Sequence, residues 1–186
     1  MTIYIALLRG INVGGKNMIK MANLKLMFES IGLCQVKTYI QSGNVLFKSS
    51  EEEEALCSKI EHEIEKVFGF SIKVILRKAV DLEGVIKNCP FSEEAILKAE
   101  SSSVGESLYV AFLSHEPLQE NILRLNAYKS DREDYVIVGR DIFLLFSDSI
   151  RNSKLANNLS RLQVAATVRN WKTISKLSLL ARAMED

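Results

Sequence analysis

Val36-Lys-Thr-Tyr-Ile-Gln-Ser-Gly-Asn-Val-Leu-Phe47 reads as two short strands, Val36–Ile40 and Val45–Phe47, joined through Gln41-Ser42-Gly43-Asn44. β-Branched and aromatic residues fill the two runs, while Ser, Gly and Asn favour the turn between them. Upstream, Met21, Leu24, Met27, Phe28 and Ile31 recur at helical spacing and Gly32 supplies a stop. Before that helix, residues 3–8 form a continuously apolar run of strand character. Downstream, Ser49-Ser50 and Glu51 to Glu54 open a helix whose inner face is Leu56, Cys57, Ile60, Ile64, Val67 and Phe68, ended by Gly69. Acids in a first turn suit the positive end of the helix dipole. Ile72 to Leu76 is a strand again. The order is β-α-β-β-α-β, that of a ferredoxin-like plait with two helices on one face of a four-stranded antiparallel sheet.

The pattern then restarts. A helix over about Val80–Lys87 runs to Pro90, and residues 92–106, polar and acidic with Ser101-Ser102-Ser103, read as a mobile connector. Leu108–Leu113, Leu118–Leu125, Tyr135–Val138, Ile142–Phe146 and Lys154–Leu162 repeat β-α-β-β-α, followed by the apolar run Val164–Val168 and a last helix from Trp171 to Met184. No sequence identity between the halves is visible. The expected class is α+β, a ferredoxin-like module over 1–78, a helix and connector over 79–106, and a second, related α+β module over 107–186.

With 186 residues, 47% apolar and 25% charged, the chain can bury a core without staples. Three scattered cysteines, Cys34, Cys57 and Cys89, make no disulfide framework and point to a reducing compartment. The apolar N-terminus is too short to span a bilayer and lacks a signal peptide's positive flank, so a cytoplasmic protein without a membrane partner is expected.

The net charge of +1 excludes a highly basic nucleic-acid coat, yet the charges segregate. Ser149–Met184 carries seven cations (Arg151, Lys154, Arg161, Arg169, Lys172, Lys176 and Arg182) and no acid. Met1–Ala22 adds Arg9, Lys16 and Lys20, again without one. Such a distribution suits anions.

Arg9-Gly-Ile-Asn-Val-Gly-Gly-Lys-Asn17 links the first strand to the first helix. Glycines allow backbone amides close to an oxyanion, and a helix start adds its positive end. Gly10, Gly15 and Lys16 have Walker A spacing, but Asn17 stands where a magnesium-binding Ser or Thr belongs. Gln41, Ser42 and Asn44 offer amides and a hydroxyl, although their turn is expected at the opposite end of the plait from the glycine-rich loop. Ser153 reads as an N-cap flanked by Arg151 and Lys154. Arg169-Asn170-Trp171 opens the last helix, where Trp171 could stack on a planar ring or anchor a core. His62 and His115 lie outside these segments, no C-x-x-C or H-x-x-x-H spacing offers a metal site, and no catalytic residue or cofactor is specified.

Ala6–Gly15, Thr38–Val45, Ser153-Lys-Leu155 and Arg169-Asn-Trp171 together resemble the bacterial family catalogued as domain of unknown function 1697, and the resemblance runs along essentially the whole chain. It implies a two-part α+β protein with a ferredoxin-like first module, and no established activity. The polar motif positions it implies are Arg9, Asn12, Gly14, Gly15, Gln41, Ser42, Gly43, Asn44, Ser153, Lys154, Arg169, Asn170 and Trp171. Lys172 stands where the family often has Asn.

The expectation is a pocket for a small, phosphate-bearing anion. Arg9 and Lys16 take the charge, Lys154 and Arg169 help, and Trp171 stacks on a planar portion. The alternatives are a single-stranded nucleic-acid binder using Tyr39 and Phe47 on the sheet face, and an enzyme of unknown reaction.

Overall fold

A computed structural model of the chain describes residues 1–185. The chain divides into two compact units, residues 1–84 with the C-terminal residues from Ser175, and residues 85–174. The boundaries fall inside helices rather than at residues 78 and 106.

In the first unit β1 (Thr2–Leu8), β2 (Cys34–Tyr39), β3 (Asn44–Ser49) and β4 (Val74–Lys78) form one sheet in the order β2-β3-β1-β4. α1 (Met21–Ser30) and α2 (Glu53–Phe68) cover one face. Leu24 and Phe28 of α1 and Leu56, Ile60 and Ile64 of α2 pack there on Tyr4, Ala6, Leu8, Val45 and Phe47. Phe47 lies between the rings of Tyr4 and Phe28, at 5.8 and 5.6 Å. The other face is buried too, through Ile5, Leu7, Leu46, Ile75 and Arg77. That is why β1 reads as an unbroken apolar run rather than an alternating one.

One expectation is reversed by this topology. β1 and β2 are each antiparallel to β3, hence parallel to one another, so the segments leaving them share one end of the sheet. Leu8 N–H donates to the Gly43 carbonyl at 2.9 Å, binding the glycine-rich loop to the β2–β3 turn. The two motifs are neighbours.

After β4 comes α3 (Ala79–Lys87), and the second unit contains α4 (Glu93–Ser102) where a connector was expected. The Ser92 hydroxyl caps α4, accepting from Ala95 N–H at 3.2 Å. Ala99 packs with Leu108 and Leu145. Short apolar residues and a serine-rich end disguise this helix. Ser92→Ala should lower stability by about 1 kcal/mol, read as a lower thermal midpoint.

The second sheet joins β5 (Leu108–Leu113), β6 (Glu133–Val138), β7 (Asp141–Phe146) and β8 (Ala166–Asn170) in the order β6-β7-β5-β8. Between β5 and β6 runs α5 (Gln119–Asn126). The helix expected over 154–162 is broken, with α6 covering only Lys154–Asn157 and a 3-10 turn following at Leu159–Leu162. Gln163 then enters the left-handed region at φ 55°, turning the chain into β8. The apolar run Val164–Val168 is thus the approach to a true strand, and the second unit completes the same β-α-β-β-α-β order before α7 (Trp171–Arg182). No helix is long and apolar enough to cross a membrane among the described residues.

The registers reveal a correspondence that the bare sequence hides. Ala6 pairs with Val45 and Leu76, and Ala111 with Ile142 and Val168. Ile3-Tyr-Ile-Ala-Leu-Leu8 therefore matches Leu108-Tyr-Val-Ala-Phe-Leu113, identical at Tyr4/Tyr109, Ala6/Ala111 and Leu8/Leu113. On the last strands Arg77 matches Arg169, only 1% and 8% exposed, and each Nη1 donates to the carbonyl of the preceding residue, at 2.8 and 2.9 Å.

Candidate functional site

The end of the first sheet where β1 and β2 finish gathers the glycine-rich segment and the Gln41–Asn44 turn. The loop is a miniature hairpin. Asn12 N–H donates to the Asn17 carbonyl at 3.2 Å, and Lys16 N–H to the Val13 carbonyl at 3.0 Å. Gly14 and Gly15 form its two-residue tip at φ 58° and 73°, a conformation that glycine adopts without strain. The expected cradle of amides running straight into a helix is absent here. Two of the loop's amides are used within it, and α1 begins six residues beyond Gly15.

Asn12 fastens this hairpin down. Its Oδ1 accepts from Ile19 N–H at 2.7 Å. Its Nδ2 donates to the carbonyls of Ile19 at 3.0 Å and Gln41 at 2.8 Å. Asn tolerates the left-handed backbone it adopts, φ 54°. Asn44 Nδ2, fully buried, donates to the Tyr39 carbonyl and to Ser42 Oγ, each at 3.0 Å, and so shapes the turn. Only the Gln41 side chain of this turn stands exposed.

Arg9, Lys16 and Lys20 are exposed at the same end, and none of them makes an ion pair among the described residues. The lysines around α2 are paired instead, Lys59 with Glu51, Lys66 with Glu63 and Lys73 with Glu61, at 2.8 to 3.1 Å. Uncompensated cations on one rigid end attract anions.

In the second unit, Ser153 caps α6 through a bond from Ala156 N–H at 2.9 Å. Asn170 Oδ1 accepts from Thr173 N–H at 2.8 Å at the start of α7. Trp171 packs against the Ala99, Leu108 and Leu145 cluster, the core-anchor alternative. Lys154 is exposed. Arg169 is buried, its Nη1 bonded to Thr167 Oγ1 at 2.8 Å and to the Val168 carbonyl. Burial alone pulls its pKa down to about 10, leaving it charged at neutral pH. The Tyr109 hydroxyl is held above its ordinary value mainly by burial and then by Glu106, with Arg151 opposing.

Two features escape a linear reading. An open groove of about 700 Å³ in the second unit is lined by Lys98, Lys129 and Arg132 and by Asp131, Glu133 and Asp134. Its charges cancel, and Lys129 is tied to Asp134 at 2.7 Å, so it favours neither sign. Phe47 lies wholly in the helix-covered core, which removes it as a stacking platform for bases. Among the described residues no group of three or more His, Cys, Asp or Glu could hold a metal ion.

Residues 1–143 match the family described as protein of unknown function (DUF1697). The chain belongs to that family. A solved structure similar to this DUF1697 chain is that of a conserved bacterial protein from Streptococcus pneumoniae. It is 27% identical, with a TM-score of 0.74 over 97% of this chain and 98% of that one. No curated protein matches the sequence. The DUF1697 match spans the whole first sheet and, in the second, β5, β6 and the start of β7.

Proposed function

We propose that the hairpin end of the first sheet binds a small, phosphate-bearing anion, with Arg9 and Lys16 as its charged contacts. The observation that carries this reading is the Asn12 clamp. It fixes a loop that bears unpaired cations against a second loop, so their placement costs little ordering entropy at binding. Arg169 is committed to Thr167 and Val168, so the proposal rests on the first unit. Three cysteines outside any disulfide, one of them exposed, accord with a reducing cytoplasm.

Isothermal titration with nucleotides and sugar phosphates tests the reading. A charge-assisted bond contributes roughly 1.5–3 kcal/mol, so Arg9→Ala or Lys16→Ala should weaken binding about tenfold or more. The absence of heat with every such ligand, or affinities unchanged in both variants, defeats the proposal.

A further inference from the structure

Three large apolar side chains stand in solvent at the same end of the first sheet: Val13 and Met18, each 64% exposed, and Ile40, 47% exposed. Their grouping follows from the Asn12 bonds. Val13 succeeds Asn12, Met18 precedes Ile19, and Ile40 precedes Gln41. The Asn12 side chain holds the backbones of Ile19 and Gln41 at 2.7 to 3.0 Å. Three exposed apolar residues are thus drawn around one polar knot, next to Arg9, Lys16 and Lys20.

Ile40 carries a second signal. Its backbone lies in the left-handed region at φ 49°, where Gly, Asn or Asp sit easily and a β-branched residue is strained. Folding offers little return for that strain, because about half of the side chain packs on nothing. An apolar group held outward in a costly conformation points to a function for its outer surface.

We infer that the ligand of this site is an amphiphilic anion, a phosphate head joined to an apolar chain. The head meets Arg9 and Lys16, and the chain lies over Val13, Met18 and Ile40. This rests on the anion-binding reading above and specifies the class of molecule. Uncompensated cations beside three exposed apolar side chains complement both parts of such a ligand, whereas a sugar phosphate would leave those side chains wet.

The test is calorimetric titration with methyl, butyl and octyl phosphate below their micellar concentrations, alongside sedimentation with vesicles of neutral and anionic phospholipid. Affinity should rise with chain length, with octyl phosphate bound about 100-fold more tightly than methyl phosphate if each added methylene is half buried. Val13→Ser with Met18→Ser should flatten that series to within about fivefold. Ile40→Asn, which suits the left-handed backbone, should also flatten it while raising the melting temperature. Methyl and octyl phosphate binding equally would overturn the inference and leave the anion site standing. Failure of both to bind would overturn the inference, and the nucleotide and sugar phosphate titrations would then decide the anion reading. Sedimentation with anionic vesicles without any dependence on chain length would replace the inference with adsorption to a charged surface.

Discussion

Gly43→Ala should lower stability by roughly 3–4 kcal/mol. A Cβ built on Gly43 would lie 2.7 Å from Ile11 Cδ1, 2.9 Å from Ile11 Cγ1 and 2.9 Å from Leu8 Cβ. Leu8 and Ile11 are both 1% exposed, so neither can swing aside into solvent. Nor can the glycine back away, because its carbonyl accepts from Leu8 N–H at 2.9 Å. Overpacking of this kind costs about 1–3 kcal/mol, and a left-handed backbone, here φ 83°, adds about 1–2 kcal/mol for a residue with a side chain. The lower entropy of the unfolded alanine variant returns less than about 1 kcal/mol. Gly14→Ala is the control. Its φ is 58° but nothing lies within 4 Å of the new carbon, so only the conformational cost applies. In thermal melts Gly43→Ala should fall by roughly 10 °C and Gly14→Ala by a third of that or less. Equal shifts would mean that contact with Ile11 and Leu8 contributes nothing.

That wedge also shows why part of the site is hard to see in a linear sequence. The plait itself is legible, because α1 and α2 carry apolar residues at helical spacing and the strands carry β-branched and aromatic runs. The neighbourhood of the two loops is not written in either loop. It follows from β1 and β2 running parallel, which only the pairing of both with β3 establishes. α4 is obscured because its buried side is small, with Ala99 its only fully buried residue, set among acids and serines. β8 is obscured because Thr167 and Arg169 alternate with its apolar residues, as the burial of a polar pair on a strand requires. The kinship of Ile3–Leu8 and Leu108–Leu113 is three identities in six positions, too faint to notice until the ladder registers align them. Among the candidate residues, Arg9 and Lys16 stand out in sequence because acids are missing around them, whereas Ser153, Asn170 and Trp171 stand out for reasons that turn out to be capping and packing. The apolar trio Val13, Met18 and Ile40 carries no motif at all. Only exposure and the Asn12 bonds single it out.

Asn12→Ala should destabilise the protein by about 3 kcal/mol, and it should also weaken anion binding although the Asn12 side chain faces the polypeptide rather than the ligand. Three hydrogen bonds disappear, each worth roughly 0.5–1.5 kcal/mol net, and alanine inherits a left-handed backbone that asparagine tolerates better. Two further variants separate these contributions. Asn12→Gly relieves the backbone and loses all three bonds. Asn12→Asp keeps an acceptor for Ile19 N–H but turns a carboxylate oxygen towards the carbonyls of Ile19 and Gln41, which have then lost their donor. The aspartate also introduces a negative charge beside Arg9 and Lys16, so it should lose more anion affinity than stability, whereas the glycine variant should lose both in proportion. Amide exchange at Ile19 gives the local readout. Its N–H is held by Asn12 Oδ1 at 2.7 Å and should exchange many times faster in the alanine and glycine variants than in the wild type, and least altered in the aspartate. If Ile19 stays equally protected in all three, the loop is held by something other than this side chain, and the rigid placement of Arg9 and Lys16 that underlies the binding proposal loses its cause.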